Sequence, residues 1–141
     1  MKKLFALIGL AALTITTNVS CSKAKIEQKV EDMAIKLMTD GTWIVTKFIE
    51  AQNDITSDFA GWECQFYSNL TSEARKGTQK VAGTWNATTV TQTITSQFPA
   101  GSPVPLEKIN GTWKIVKANY TFAEFSQTRS GIEYRMELTK K

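Results

Sequence analysis

After Gly41 the chain is a succession of short β-rich runs, each closed by Gly, Asn, Ser or Pro, and that rhythm predicts an all-β fold. Val, Ile, Thr, Phe, Tyr and Trp dominate these runs. The last is the clearest, with Ile132, Tyr134, Met136 and Leu138 alternating with Glu133, Arg135, Glu137 and Thr139. Strict alternation describes a strand with one buried and one wet face. Trp62, Cys64 and Phe66 share one face in the same way. Strands are predicted near 42–50, 61–68, 78–87, 89–98, 106–117, 118–126 and 131–140, with a loop around Pro99, Gly101, Pro103 and Pro105. Such strands in sequence, with tight turns between them, predict an antiparallel meander. Closing it into a barrel of about eight strands removes the exposed edges; a β-sandwich is the alternative.

Ahead of Gly41 the period changes. Ile26, Val30, Met33, Ala34, Leu37 and Met38 form one apolar stripe, which predicts a helix over 22–39. Ser22 is placed to cap it, Lys23/Glu27 and Asp32/Lys36 are opposite charges one turn apart, and Gly41 sits where helices commonly stop. The stripe covers barely two heptads, short for a coiled coil. Packing against its own domain is the favoured reading, with a membrane-lying helix beside it.

Farther upstream, Lys2 and Lys3 precede a run, Leu4 to Ile15, that is apolar apart from Thr14. A bilayer core about 30 Å thick needs roughly 20 apolar residues, so this run has the size of a secretory h-region. Small Ser20 then precedes Cys21. The segment resembles a bacterial lipoprotein signal, although Asn18 stands where that signal prefers Leu. The resemblance implies acylation of Cys21 and attachment to an envelope membrane; an ordinary signal peptide cut nearby is the alternative. Two or more acyl chains, at about 0.8 kcal/mol per buried methylene, would hold the chain durably. The implied organisation is a signal peptide over 1–20, a lipid-bearing cysteine and amphipathic helix over 21–40, and the β domain over 41–141. Surface-exported lipoproteins of the resembled kind carry acids soon after the cysteine. Here Ser22-Lys23-Ala24-Lys25 follows, which favours an outer-membrane anchor with the domain in the periplasm.

The tripeptide Gly-Thr-Trp occurs at 41–43, 83–85 and 111–113, each time within or opening a β-rich run. Gly permits a tight bend, and Trp brings a large apolar face to a core. The unequal intervals exclude a solenoid repeat. Gly41-Thr42-Trp43, after a short helix and at the start of the first strand, is similar to the Gly-X-Trp signature of lipocalins. With the lipoprotein signal, the chain resembles small lipocalin-like lipoproteins of Bacteroidetes-type bacteria over roughly residues 38–141. That resemblance implies that Trp43 closes one barrel end beneath an arginine, for which Arg129 and Arg135 are the candidates. It also implies a small apolar or amphipathic ligand. Trp62, Phe66, Tyr120, Phe122 and Tyr134 are the candidate lining, and the same residues serve equally as core of a filled barrel.

Chemistry beyond binding has little support. The chain has no histidine, which removes the commonest general base and transition-metal ligand. Cys64 lies on an apolar face with nothing to activate it. The glutamates are scattered, no glycine-rich phosphate loop is present, and Asp54 and Asp58 stand in no dense acidic loop. Neither an enzyme nor a cofactor or metal protein is expected. Without residues 1–20 the chain carries 15 basic and 13 acidic side chains, clustered only at Arg75-Lys76 and Lys140-Lys141, so nucleic acid is not an expected partner. Four Asn-X-Thr triplets, beginning at Asn69, Asn86, Asn110 and Asn119, are read as chance. The alternative to ligand binding is an interaction lipoprotein, its barrel filled and its rim loops near 51–60 and 99–105 touching envelope proteins or glycans, with Phe59 an exposed aromatic.

Overall fold

The computed structural model describes residues 19–141, and in it the strictly alternating last run is paired on both edges. The elements in order are α1 (Val19–Thr39), β1 (Thr42–Glu50), β2 (Asn53–Asp54), a 3-10 turn (Thr56–Phe59), β3 (Glu63–Phe66), β4 (Thr71–Lys76) and β5 (Gln79–Thr88). β6 (Thr93–Gln97), α2 (Val104–Ile109), β7 (Gly111–Ala118), β8 (Phe122–Arg129) and β9 (Ile132–Lys140) complete the chain. β1 and β3–β9 form a closed eight-stranded antiparallel barrel, sealed where β9 meets β1 from Trp43↔Lys140 to Glu50↔Tyr134. β2 hangs outside, paired with β1 alone. The barrel prediction therefore holds, and the sandwich does not.

Because neighbouring strands run in opposite directions, the connections sort onto two ends. The near end, where β1 begins, carries α1, the turns 67–70, 89–92 and 119–121, and Lys141. The far end carries β2, the 3-10 turn, the turn at Gly77, α2 and the turn at Ser130-Gly131. Bulges between Val45 and Lys47 and between Ile115 and Lys117 bend β1 and β7.

Several sequence readings shift. The helix starts at Val19, so Ser22 lies inside it and is not the cap. The expected signal peptide lies outside the described residues as far as residue 18, as do the side chains of Cys21, Ser22 and Glu27. The run expected as one strand over 106–117 is a helix and then a strand. Pro103 stands at the cap and Pro105 in the first turn of α2, where a missing N–H matters least. β4 was not predicted, since only small Ser72 and Ala74 face inward from an otherwise polar run. Tyr120 falls in a turn, because β8 opens at Phe122. Phe59 is buried, its ring 4.6 Å from that of Phe48, so it is no exposed rim aromatic.

Two of the four Asn-X-Thr triplets have a physical use in turns. Asn69 Oδ1 accepts from the Thr71 N–H and hydroxyl at 3.2 and 2.6 Å, and Asn119 Oδ1 does the same with Thr121 at 3.0 and 3.2 Å. Asp54 holds Thr56 in this way too, at 3.0 and 2.5 Å. These are side-chain turns that start a strand or a helical turn.

Candidate functional site

The barrel interior is occupied by its own side chains. Phe66, Ile94, Trp113, Phe125, Met136 and Leu138 crowd it together with Cys64, Ser96 and Ile109, leaving about 20 Å³. A single water needs about 10–15 Å³, so this space holds no organic ligand. Ser96 borders it with a hydroxyl that lacks a hydrogen-bond partner.

All three Gly-Thr-Trp tryptophans are buried, and each returns its indole N–H to a backbone carbonyl. Trp43 donates to Met38 O at 2.9 Å, near the end of α1, and Trp113 to Ile109 O at 2.7 Å, the last residue of α2. Trp85 donates to Tyr67 O at 2.9 Å. In the first two cases a helix-terminal carbonyl finds a partner it otherwise lacks. Trp43 thus ties the near end to its helix, and Trp113 does so at the far end.

The cation above Trp43 is a lysine. Lys140 Nζ lies 5.2 Å from the Trp43 ring centre and 3.3 Å from Asp40 Oδ2. Neither expected arginine reaches it. Arg135 points outward, pairing with Glu124 at 2.9 Å and Glu137 at 2.8 Å. Arg129 ends β8 at the far end, 4.5 Å over the Tyr134 ring and bonded to Lys108 O at 2.9 Å.

The five candidate lining residues do not converge. Trp62 is buried under Lys76, and Phe66 meets Trp85 edge-on with centroids 5.3 Å apart. Tyr120 is exposed, Phe122 is half-buried beside Lys117, and Tyr134 packs on Phe48 at the far end. Of the five, Phe66 alone borders the small interior void.

Roomy apolar space lies outside the interior instead: a space of about 470 Å³ runs beside β1 against Phe59 and Trp62, and another region lies at the near end under α1. A cavity of about 250 Å³ opens between α1 and the barrel mouth, lined by Val30, Met33, Ala34, Leu37, Met38, Ala87, Ile94, Ile115, Ala118 and Phe125. A second hollow of about 330 Å³ shares Val30, Ala34, Ala87, Ile115 and Ala118 and adds Thr88, Thr89, Gln92, Val116 and Lys117. Together they form a groove with an apolar floor and an amine, an amide and hydroxyls at its rim. The apolar stripe of α1 signals one wall in the sequence. Ala87 and Ala118 are too small to signal the other.

At the far end, Glu50 pairs with Lys108 beneath Tyr134 and Arg129. The hydrogen bond from Lys108, aided by Tyr134 and the nearby Arg129 charge, holds the Glu50 carboxyl below its usual range. The cluster ties α2 to β1. It offers no second carboxylate and no nucleophile.

Cys64 is buried, and burial pushes its thiol from an ordinary 9.0 up to about 12. The unfolded thiol ionises first, so this residue's effect on stability is flat below pH 9 and unfavourable as pH climbs towards 12. In a Cys21→Ala background, alkaline denaturant titrations of Cys64→Ala should show a shallower loss of stability than the parent. Ellman's reagent should label Cys64 only as the chain unfolds; prompt labelling of the native protein would refute its inertness.

Fold and groove together define a small filled β-barrel with a helix lying across one mouth. Among solved structures, the chain is similar to the crystal structure of a DUF4847 family protein from Bacteroides vulgatus ATCC 8482, with a TM-score of 0.57 and 14% identity over 77% of this chain and 97% of that one. At that identity the likeness shows the fold alone. No family model matches the chain, and no curated protein matches it. Among the described residues no helix is long and apolar enough to cross a membrane, and no three His, Cys, Asp or Glu side chains gather as a metal site.

Proposed function

We propose that this protein is a lipid-anchored envelope lipoprotein of bacteria that binds an apolar or amphipathic molecule, held between α1 and the near end of the barrel. The observation that carries the reading is the contrast between a filled interior and a long apolar groove with a polar rim. Binding sites of this kind are mostly apolar with a few polar groups to orient the ligand. Lys117, Gln92 and Thr88 are placed at the rim to meet a polar head. The lipoprotein part rests on the Lys2–Cys21 signal, which favours an outer-membrane anchor facing the periplasm. A binding role needs no catalytic group.

Native mass spectrometry of protein taken from bacterial envelopes tests the binding claim. The expected result is a discrete extra mass that is lost on denaturation. Ala34→Phe places a ring in the groove and should remove that mass while leaving the fold intact. A bare protein mass that persists after incubation with envelope lipid extract would sink the proposal, and an adduct retained by Ala34→Phe would place the ligand elsewhere.

A further inference from the structure

The two ends of the barrel differ in what their turns display. At the near end the three hairpin turns carry Leu70, Val90 and Tyr120. Val90 is 77% and Tyr120 64% exposed, and Leu70 holds its place at φ +66°, a conformation in which glycine or asparagine is more at ease. At the far end the hairpin turns are Lys76-Gly77-Thr78 and Ser130-Gly131, as turn chemistry favours. The near end also carries Ile26 and Met33 of α1, both 62% exposed. Water alone gives no reason to gather apolar side chains on every hairpin turn of one end.

Charge accompanies this face. Lys25, Lys29 and Lys36 share one row of α1 directly beside Ile26 and Met33, a row that also holds exposed Asp32 and so carries a formal charge of +2. Lys117 stands next to the end of β7, which runs to the same face, and Lys114 lies at the middle of that strand. Of the nearby acids, Asp40 is paired with Lys140 and Glu124 with Arg135, while Glu31 and Asp32 lie on α1 itself and offset part of its lysine charge. An apolar stripe bordered on one side by lysines suits a helix lying in a lipid headgroup layer, with the amines reaching phosphates. Tyrosine at such a rim suits the same boundary. The sequence adds continuity. A chain held to a membrane through Leu4–Ile15, or through a lipid on Cys21, is held through α1, which packs on the near end.

We infer that the near end of the barrel is a docking face for an anionic phospholipid surface, with Ile26, Met33, Val90 and Tyr120 entering the headgroup region and the α1 lysine row meeting lipid phosphates. This contact is separate from any covalent anchor; it shares Met33 with the wall of the groove but does not need the groove to be occupied.

The test uses the full chain with Cys21→Ala, labelled with the fluorophore NBD at a single introduced cysteine, since Cys64 is buried. Val90→Cys reports the near end, and Val104→Cys, exposed on α2, reports the far end. On vesicles of phosphatidylethanolamine and phosphatidylglycerol, the label at 90 should brighten and shift to the blue while that at 104 stays unchanged. The upstream chain is common to both samples, so a difference between the two sites reports orientation. Replacing Lys25, Lys29 and Lys36 with Gln should weaken the near-end signal about a hundredfold in lipid concentration, at roughly fivefold per lysine. Equal responses at 90 and 104, or a response at 90 as strong on pure phosphatidylcholine, would overturn the inference. So would a response at 90 that follows protein concentration without vesicles, which would assign the face to a second copy. Ala34→Phe should leave the docking signal intact, so failure of the groove proposal and failure of this one are separable.

Discussion

Trp43→Ala should leave the protein without a cooperative unfolding transition at growth temperature. Trp43 is fully buried. Truncating a buried Trp to Ala costs about 3–5 kcal/mol in transfer and cavity terms. The substitution also strands Met38 O, which accepts the indole N–H at 2.9 Å, and an unmade bond to a buried carbonyl adds about 1–3 kcal/mol. Small domains have about 5–15 kcal/mol in total, so the loss takes much or all of it. The damage is also topological. Trp43 opens the strand that closes the barrel against β9, and its indole is what joins α1 to that closure. Trp43→Phe retains most of the packing and removes the hydrogen bond, so it should lose about 1–3 kcal/mol and still unfold cooperatively. Far-UV circular dichroism against denaturant reads both. A midpoint for Trp43→Ala within about 1 kcal/mol of the parent would mean that the near end is not closed by this residue.

What the sequence made legible follows the size of the side chains involved. β9 was readable because all four residues of its alternating apolar set are large and its intervening set is polar. Trp43, Trp85 and Trp113 were readable as core for the same reason. β4 was not, because a strand packed beneath bulky neighbours can present Ser72 and Ala74 inward and leave no apolar signal. α2 was hidden by prolines that read as loop punctuation and in fact start the helix. The groove was half legible. Its α1 wall is a periodic stripe, whereas Ala87 and Ala118 matter because they are small, and absence of bulk has no pattern. The misplaced ligand lining has a related cause. Alternation shows that a residue faces inward, but an aromatic that fills a barrel and one that lines a cavity have the same spacing. Only the volumes of the residues opposite decide between them, and those come from strands far away in sequence.

The three glycines of the repeated tripeptide carry the other large expected effect, and they are not equivalent. Gly83→Ala should destabilise by about 2–4 kcal/mol, although its backbone conformation is open to any residue. A Cβ at Gly83 would sit 2.7 Å from Gln97 O, 2.8 Å from Phe98 Cδ1 and 2.9 Å from Ser72 Oγ. One of these is backbone of the paired strand β6, and the other two belong to buried side chains, so nothing can yield without breaking the β4–β5–β6 ladder. Gly111 is needed on both counts, with φ +110° and the amide of buried Gln127 at 2.6 Å. Gly41 requires its φ of +95°, but a Cβ there meets only the flexible stem of Lys140 at 3.2 Å. Gly77, at φ +59° with open space around it, isolates the conformational term, which is about 1–2 kcal/mol for a left-handed residue. Measured by denaturant midpoint, Gly83→Ala and Gly111→Ala should both fall below Gly41→Ala, and Gly77→Ala should be the mildest. If Gly83→Ala proves as mild as Gly77→Ala, the close approach of β5 to β6 is absent. The tripeptide would then mark turns alone and not the places where this small barrel packs backbone against backbone.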